Sequence, residues 1–272
     1  MAATLNIIGA GHVGSVLGKL FAERRALAIQ DVLTRSADSA ARAVAFIGQG
    51  RACASLAAMA PADVWMLAVP DDHIAAVSMA LARAQALDGS VVFHCSGAKS
   101  SAELAGAGFT ASVHPIRSFA DPTAVAQSFA GTWCGIEGHA RAVAVLEAAL
   151  HAIGAQTVPI DAAAKTVYHA ASVFASNYLV TVLDCALRAY QAAGIPEQVA
   201  RELARPLASE SLANVFRLGP ELALSGPIAR GDFATVARQR AAVSAWDAPT
   251  GALYAALVAP TTALADRKKE QA

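Results

Sequence analysis

Over its first 160 residues the chain alternates short apolar runs with longer alanine-rich stretches, and after Asp161 the short runs stop. That switch constrains the fold more than any other feature. Leu5–Ile8, Ile29–Leu33, Val64–Val69, Val91–His94, Thr110–His114, Thr132–Ile136 and Gln156–Val158 have the length and residue types of strands, and segments of helical length separate most of them. Strands spaced in this way form crossover units, and therefore a largely parallel, doubly wound sheet with helices on both faces. Long Ala/Leu/Val-periodic segments then run over about residues 161–193, 197–217, 232–245 and 248–266, punctuated by Gly194-Ile195-Pro196, Gly219-Pro220, Ser225-Gly226-Pro227 and Pro249. The expected organisation is an α/β domain over residues 1–160 followed by an all-α domain over residues 161–272.

Charge and cysteine usage remove several function classes. Lys and Arg total 21, Asp and Glu also 21, so the chain has no net charge and no basic stripe, which argues against a nucleic-acid binder. The cluster Arg267, Lys268 and Lys269 near the C-terminus reads as a solvated tail. Four cysteines stand far apart with no C-x-x-C pair, so neither a zinc ribbon nor a disulfide framework is expected. His94 and Cys95 are neighbours on a strand and would face opposite ways, so no metal site is expected there either. Thr166–Leu183 is apolar enough to be weighed as a membrane span, but it holds His169, Ser172, Ser176 and Asn177 and fits a buried core helix better. No basic segment precedes the apolar residues at the start, so a signal peptide is not expected and the cytoplasm is the expected compartment.

Gly9-Ala10-Gly11-His12-Val13-Gly14 lies between the first strand and a helix. In that context G-x-G-x-x-G is a dinucleotide turn: Gly9 permits the turn, Gly11 lets the backbone approach a diphosphate, and Gly14 lets helix and sheet pack closely. At the end of the second strand, Thr34-Arg35-Ser36 stands where an NAD enzyme carries an acidic residue. An arginine between two hydroxyls suits a 2′-phosphate, which favours NADP. Asp31 is the competing residue, because a small register shift would make it the ribose carboxylate. Val69 and Pro70 end a strand on the edge where a cofactor would lie.

Three polar clusters could carry chemistry. Ser96, in His94-Cys95-Ser96-Gly97, is a substrate hydrogen-bonder or a plain turn residue. His114, in Ser112-Val113-His114-Pro115, is an acid/base candidate or a histidine satisfied by a backbone carbonyl. Lys165, His169, Ser172 and Ser176 fall at offsets of 4, 7 and 11, one stripe of a helix, while Val167, Ala171, Phe174, Tyr178 and Val182 form an apolar stripe expected to pack. Lys and His are costly on a buried helix unless hydrated or paired, so the polar stripe points to a site. Asn177 lies about 80° round from His169 and is a weaker candidate. Arg230, in Ser225-Gly226-Pro227-Ile228-Ala229-Arg230-Gly231-Asp232, could clamp an anion, or stand in solvent beside a helix capped by Asp232.

Together GAGHVG, AVPDDHI, HCSGAKSS, SVHPIRSF, KTVYHAASVFASNYLV and GPELALSGPIARGD resemble the family that joins a Rossmann-like NADP-binding domain to a helical C-terminal domain of unknown function. The resemblance covers essentially the whole chain. It implies an NADP oxidoreductase with a helical domain like that of 6-phosphogluconate dehydrogenase, related in architecture to pyrroline-5-carboxylate reductase, ketopantoate reductase and prephenate dehydrogenase. His114-Pro115 is similar to the pair whose histidine meets the substrate hydroxyl in prephenate dehydrogenases. Lys165 resembles the catalytic lysine of ketopantoate reductases, although His169 stands where those enzymes carry an asparagine.

The expected function is hydride transfer between NADP(H) and a small polar C=O or C=N compound held between the domains. Lys165 would be the acid or carbonyl polariser, His114 and His169 donors or relays, and Arg230 an anion clamp. Alternatives are a non-catalytic NADP-binding sensor or assembly module, and an oxidoreductase linking NADP to a deazaflavin. A homodimer through the helical domain is expected, by analogy with the relatives and from its apolar composition.

Overall fold

Each expected strand forms. In the computed structural model, which describes residues 2–270 apart from 105 and 107, the order is β1 (Thr4–Ile8), α1 (His12–Glu23), β2 (Ala28–Leu33), α2 (Ala37–Ile47), β3 (Arg51–Cys53), β4 (Val64–Leu67), α3 (Ile74–Ala84), β5 (Val91–His94), β6 (Phe109–Pro115), α4 (Pro122–Gln127), β7 (Trp133–Gly138), α5 (Ala140–Ala152) and β8 (Gln156–Pro159). These strands make one sheet ordered β3-β2-β1-β4-β5-β6-β7-β8. All neighbours run parallel except β6 and β7. The strand absent from the sequence reading is β3, whose Arg51-Ala52-Cys53 offers no apolar run.

Strand alternation divides the core between the two faces of the sheet. Ile7, Met66, Phe93 and Val113 join one buried cluster with Phe21 and Leu146, whereas Ile8, Leu67 and Val92 join another with Trp65, Ile74 and Leu81. Helix starts are fixed locally. Ser36 caps α2 by accepting from the Ser39 N–H, and Asp121 caps α4, whose first residue is Pro122.

Two compact units divide the chain, one ending at Ser176 and one beginning at Asn177. The sequence places the change at residue 160, where strands give way to helix. The first unit reaches further because α6 (Lys165–Val173) fastens its polar residues to the sheet. A π-helical turn, Phe174–Tyr178, follows α6 and leads into α7 (Leu179–Ala192). The second unit continues with α8 (Glu197–Leu218), α9 (Pro220–Ala223), α10 (Phe233–Trp246) and α11 (Ala248–Glu270).

One expectation is inverted. The stripe Val167, Phe174, Tyr178 and Val182 is 76, 69, 53 and 40% exposed, so it faces outward, while Lys165 and His169 turn toward the sheet. The segment Ala162–Ala192 is the one helix among the described residues long and apolar enough to cross a membrane. Its apolar window is not buried within the chain, contrary to the expected core helix.

Candidate active site

The carboxyl ends of β1, β4, β5 and β6 share one edge of the sheet, with the order reversing between β1 and β4, which is where such folds bind ligands. Gly9 follows β1 with φ +83°, and its N–H bonds Leu33 O at 2.8 Å. A Cβ there would lie 2.6 Å from Ala68 O and 2.8 Å from a Val69 methyl carbon, so only glycine lets the turn close on the end of β4. A Cβ on Gly14 would strike Gly9 O and Ala68 Cβ, whereas one on Gly11 would meet nothing within 4 Å. The turn is thus packed on both sides and open in the middle. Helix α1 begins at its centre without a side-chain cap and with no acidic residue in its first turn, leaving positive helix-end charge for an anion. These residues fit a dinucleotide diphosphate.

At the end of β2, Arg35 is exposed. Thr34 Oγ1 donates to Ser36 O at 2.9 Å, and the Ser36 hydroxyl caps α2, so both flanking hydroxyls already have local bonds. Asp31, the competing ribose ligand, is 1% exposed. Its oxygens accept from Arg51 Nε at 2.8 Å, Arg51 Nη2 at 3.0 Å and Ala60 N at 2.7 Å. That carboxylate braces β2 and β3 and is not available to a ribose.

Next to the turn lies a polar cluster built on β5, β6, β7 and α6. Ser96 Oγ donates to Asp71 Oδ2 at 2.7 Å and accepts from the N–H groups of Ala98 and Lys99. His94 is fully buried; its Nε2 meets Ser100 O at 3.0 Å, and its Nδ1 accepts the Ser96 N–H at 3.2 Å. A carbonyl can only accept, so the Nε2 nitrogen carries the hydrogen, and burial pushes this imidazole down from its ordinary range.

Lys165 is 2% exposed. Its ammonium donates to Ser96 O at 3.1 Å and to the Ser112 hydroxyl, and stands 3.8 Å from Glu137 Oε1. Glu137 accepts in turn from the backbone N–H and hydroxyl of Ser101, both at 2.7 Å. Burial lowers the Lys165 pKa, and the Glu137 and Asp71 carboxylates oppose that shift. An ammonium so enclosed clamps the turn after β5 to β6, β7 and α6.

The His114 and His169 imidazoles and the Tyr168 phenol are partly exposed. His114 faces Gly135 across the antiparallel pair, and the Tyr168 hydroxyl fills the space that a side chain at 135 would need. Tyr168 OH lies 2.8 Å from His114 Nδ1. Burial raises the phenol to about 12, and burial, then His169 and Lys165, lower His114 to about 4. Both groups are therefore neutral near pH 7. The arrangement that satisfies the phenolic hydrogen has O–H donating to Nδ1, which puts the His114 hydrogen on Nε2. The His169 ring stands edge-on to His114 with centroids 5.4 Å apart, and its Nδ1 is buried with no hydrogen-bond partner among the described residues. Gly97 lies between them: a Cβ there would be 2.8 Å from His114 Nε2 and closer still to His169 Nδ1.

Ser96, His114, Lys165 and His169 are thus brought together, with Ser172 half-buried and Ser176 exposed further along. Asn177 and Arg230 belong to the second unit; both are exposed, and Asp232 caps α10 by accepting from the Thr235 N–H at 3.0 Å. Asp71, Glu137 and Tyr168 complete the cluster but were not singled out in the sequence. Glu137 was detectable as a lone carboxylate in an apolar strand, since charge is scarce in this chain.

The pattern of a Rossmann-like domain matches residues 2–113, and that of DUF2520, a domain of unknown function, matches residues 132–261. No curated protein matches the sequence. Among solved structures, the chain is similar to protein TM1727 from Thermotoga maritima, at 27% identity and TM-score 0.76, over 98% of this chain and 100% of that one. It is similar to BF3122 from Bacteroides fragilis, a candidate NADP oxidoreductase, at 20% identity and TM-score 0.80, over 96% and 98% of the two chains. A reductive aminase from Aspergillus terreus, in complex with NADPH and ethyl-5-oxohexanoate, is similar at 15% identity and TM-score 0.70, over 100% and 95%. The chain thus carries a Rossmann-like domain followed by a DUF2520 domain.

Proposed function

We propose that the protein is an NADP(H)-dependent oxidoreductase that moves hydride to or from a small polar C=O or C=N compound. The observation that carries this reading is that the open glycine turn and the His114–Tyr168–His169 group stand on the same edge of the sheet. When bound, the nicotinamide supplies or accepts the hydride. Gly11 and the start of α1 hold the diphosphate, and Arg35 meets the 2′-phosphate. His114 offers its Nε2–H to the substrate heteroatom, and Lys165 with Glu137 holds the turn that carries Ser96 and Gly97.

A neutral His114 polarises by hydrogen bonding but has no spare proton at pH 7. That favours a C=N substrate entering as an iminium ion, which brings its own proton and leaves as a neutral amine. NADPH absorbance followed across imines and oxo compounds tests this: an imine should be consumed fastest. Tight cofactor binding with no turnover on any compound would overturn catalysis in favour of a binding module. Replacing Arg35 by Asp should weaken NADP binding by about ten- to a hundredfold, as expected for a lost charge-assisted bond, and leave NAD binding nearly unchanged. Equal weakening of both would remove Arg35 from the 2′-phosphate.

The second unit acts as the dimerisation surface in this proposal. From Asn177 onward the buried described residues are Ala200, Val236, Thr250, Gly251 and Ala265, while Leu203, Leu207, Phe216, Leu222 and Phe233 are 45, 59, 87, 56 and 52% exposed. Helices with so little interior of their own require a covering partner, and a second copy supplies the same apolar faces. Sedimentation should give a dimer, and Phe216→Glu with Leu207→Glu should dissociate it; a wild-type monomer at micromolar concentration would refute this.

A further inference from the structure

A groove of about 500 Å³ opens in the first unit, between Ile116-Arg117 at the end of β6 and residues 130–133 at the start of β7. That volume lies in the range of small-molecule sites. The groove continues the strand pair that carries the imidazole site. His114 pairs with Gly135, and the ladder runs on to Ile116, whose N–H donates to Trp133 O at 2.8 Å. Alternate residues of a strand share a face, so Trp133 stands on the face of Gly135, about 7 Å along β7. Ile116 and Trp133 are both exposed, an apolar pair at the edge of the sheet where such folds bind ligands.

Arg117 adds a charge to this groove. It is half-buried, and every acceptor that it meets among the described residues is neutral. Nη1 donates to Ser128 O and, at 3.2 Å, to Thr132 Oγ1, while Nη2 donates to Ser128 Oγ at 2.6 Å. Asp121, the carboxylate of the same segment, instead caps α4 by accepting from the Thr123 and Ala124 N–H groups. With both Nη atoms turned end-on to Ser128, the side of the guanidinium keeps its Nε–H and the neighbouring Nη2–H, two parallel donors without an acceptor among the described residues. Arg51 spends the same pair on a carboxylate, Nε on Asp31 Oδ1 at 2.8 Å and Nη2 on Asp31 Oδ2 at 3.0 Å. A planar two-donor fork on a cation that nothing neutralises is the geometry that selects a carboxylate.

We propose that this groove holds the substrate as a carboxylic acid with an apolar or aromatic body, the carboxylate on the side of Arg117 and the body against Ile116 and Trp133. It rests on the reading of His114 as the group that faces the reacting atom, and it narrows the C=O or C=N compound to an acid. It also gives Arg117, in the first unit, the anion-holding role that the sequence suggests for Arg230.

Calorimetric titration of the full-length protein with 3-phenylpropionate and with 3-phenylpropionamide compares two ligands of the same shape that differ in charge. The acid should bind about ten- to a hundredfold more tightly, the size of a charge-assisted bond. Arg117→Gln should abolish that preference, and Trp133→Ala should weaken both ligands alike, by up to about tenfold, as expected for lost aromatic contact. Equal binding of acid and amide by the wild type, a preference that survives in Arg117→Gln, or no binding of either compound at millimolar concentration would overturn the acid site. NADPH consumption with phenylpyruvate and ammonia, set against phenylacetone and ammonia, separates this proposal from the reading beneath it. Turnover indifferent to the carboxylate would overturn the acid site and keep the oxidoreductase. A clear preference for the acid in binding, with no turnover of any C=O or C=N compound, would keep the acid site and overturn the oxidoreductase.

Discussion

Replacing Lys165 by alanine lowers the free energy of unfolding by about 3–5 kcal/mol, the range for breaking a buried ion pair from one side. The ammonium is the shared partner of Ser96 O, the Ser112 hydroxyl and Glu137, so its loss leaves Glu137 charged and enclosed. Urea denaturation of the two proteins measures the change. Lys165→Met combined with Glu137→Gln should recover a large part of it, because the stranded charge is then absent and the new amide oxygen can still accept from Ser101. A change below about 1 kcal/mol, the size expected of an exposed pair, would contradict the clamp. Loss of turnover at unchanged stability would return Lys165 to the acid role that the sequence suggests.

Gly97→Ala should reduce turnover by about a hundredfold, the size of effect associated with a displacement near 1 Å in a reacting constellation. The added methyl group cannot coexist with His114 Nε2 and His169 Nδ1 where they stand. Cofactor affinity should be unchanged, since the glycine turn is untouched. The displaced, better hydrated His114 imidazole should also titrate closer to its ordinary value than to about 4. Nuclear magnetic resonance titration of the imidazoles reads that shift without any substrate. Wild-type turnover and titration in this variant would show that the imidazole pair is not held by the missing side chain.

Legibility differs between fold and site for physical reasons. Strands buried on both faces announce themselves as apolar runs, and glycines packed against backbone cannot be replaced, so the sheet and the dinucleotide turn were readable in order. Asp31 was ambiguous because its meaning depends on Arg51, a partner 20 residues away on the strand that carries no apolar signal. His114 could be found from the His-Pro pair at a strand end. Tyr168 and Gly135 could not, since they meet only through the β6–β7 register and the docking of α6. The outward stripe on α6 and α7 teaches a further point. An apolar helix face says that something will cover it, and periodicity does not say whether that cover comes from the same chain.

At its two margins the sheet closes on β3, three residues long, and on β8, four residues long and ending at Pro159, which has no N–H to offer. Brief borders, one of them ending in proline, give an incoming strand almost no ladder to join. Growth into strand-paired fibres is therefore blocked at both edges of the sheet, even though its interior is made of the aliphatic runs that would otherwise promote it.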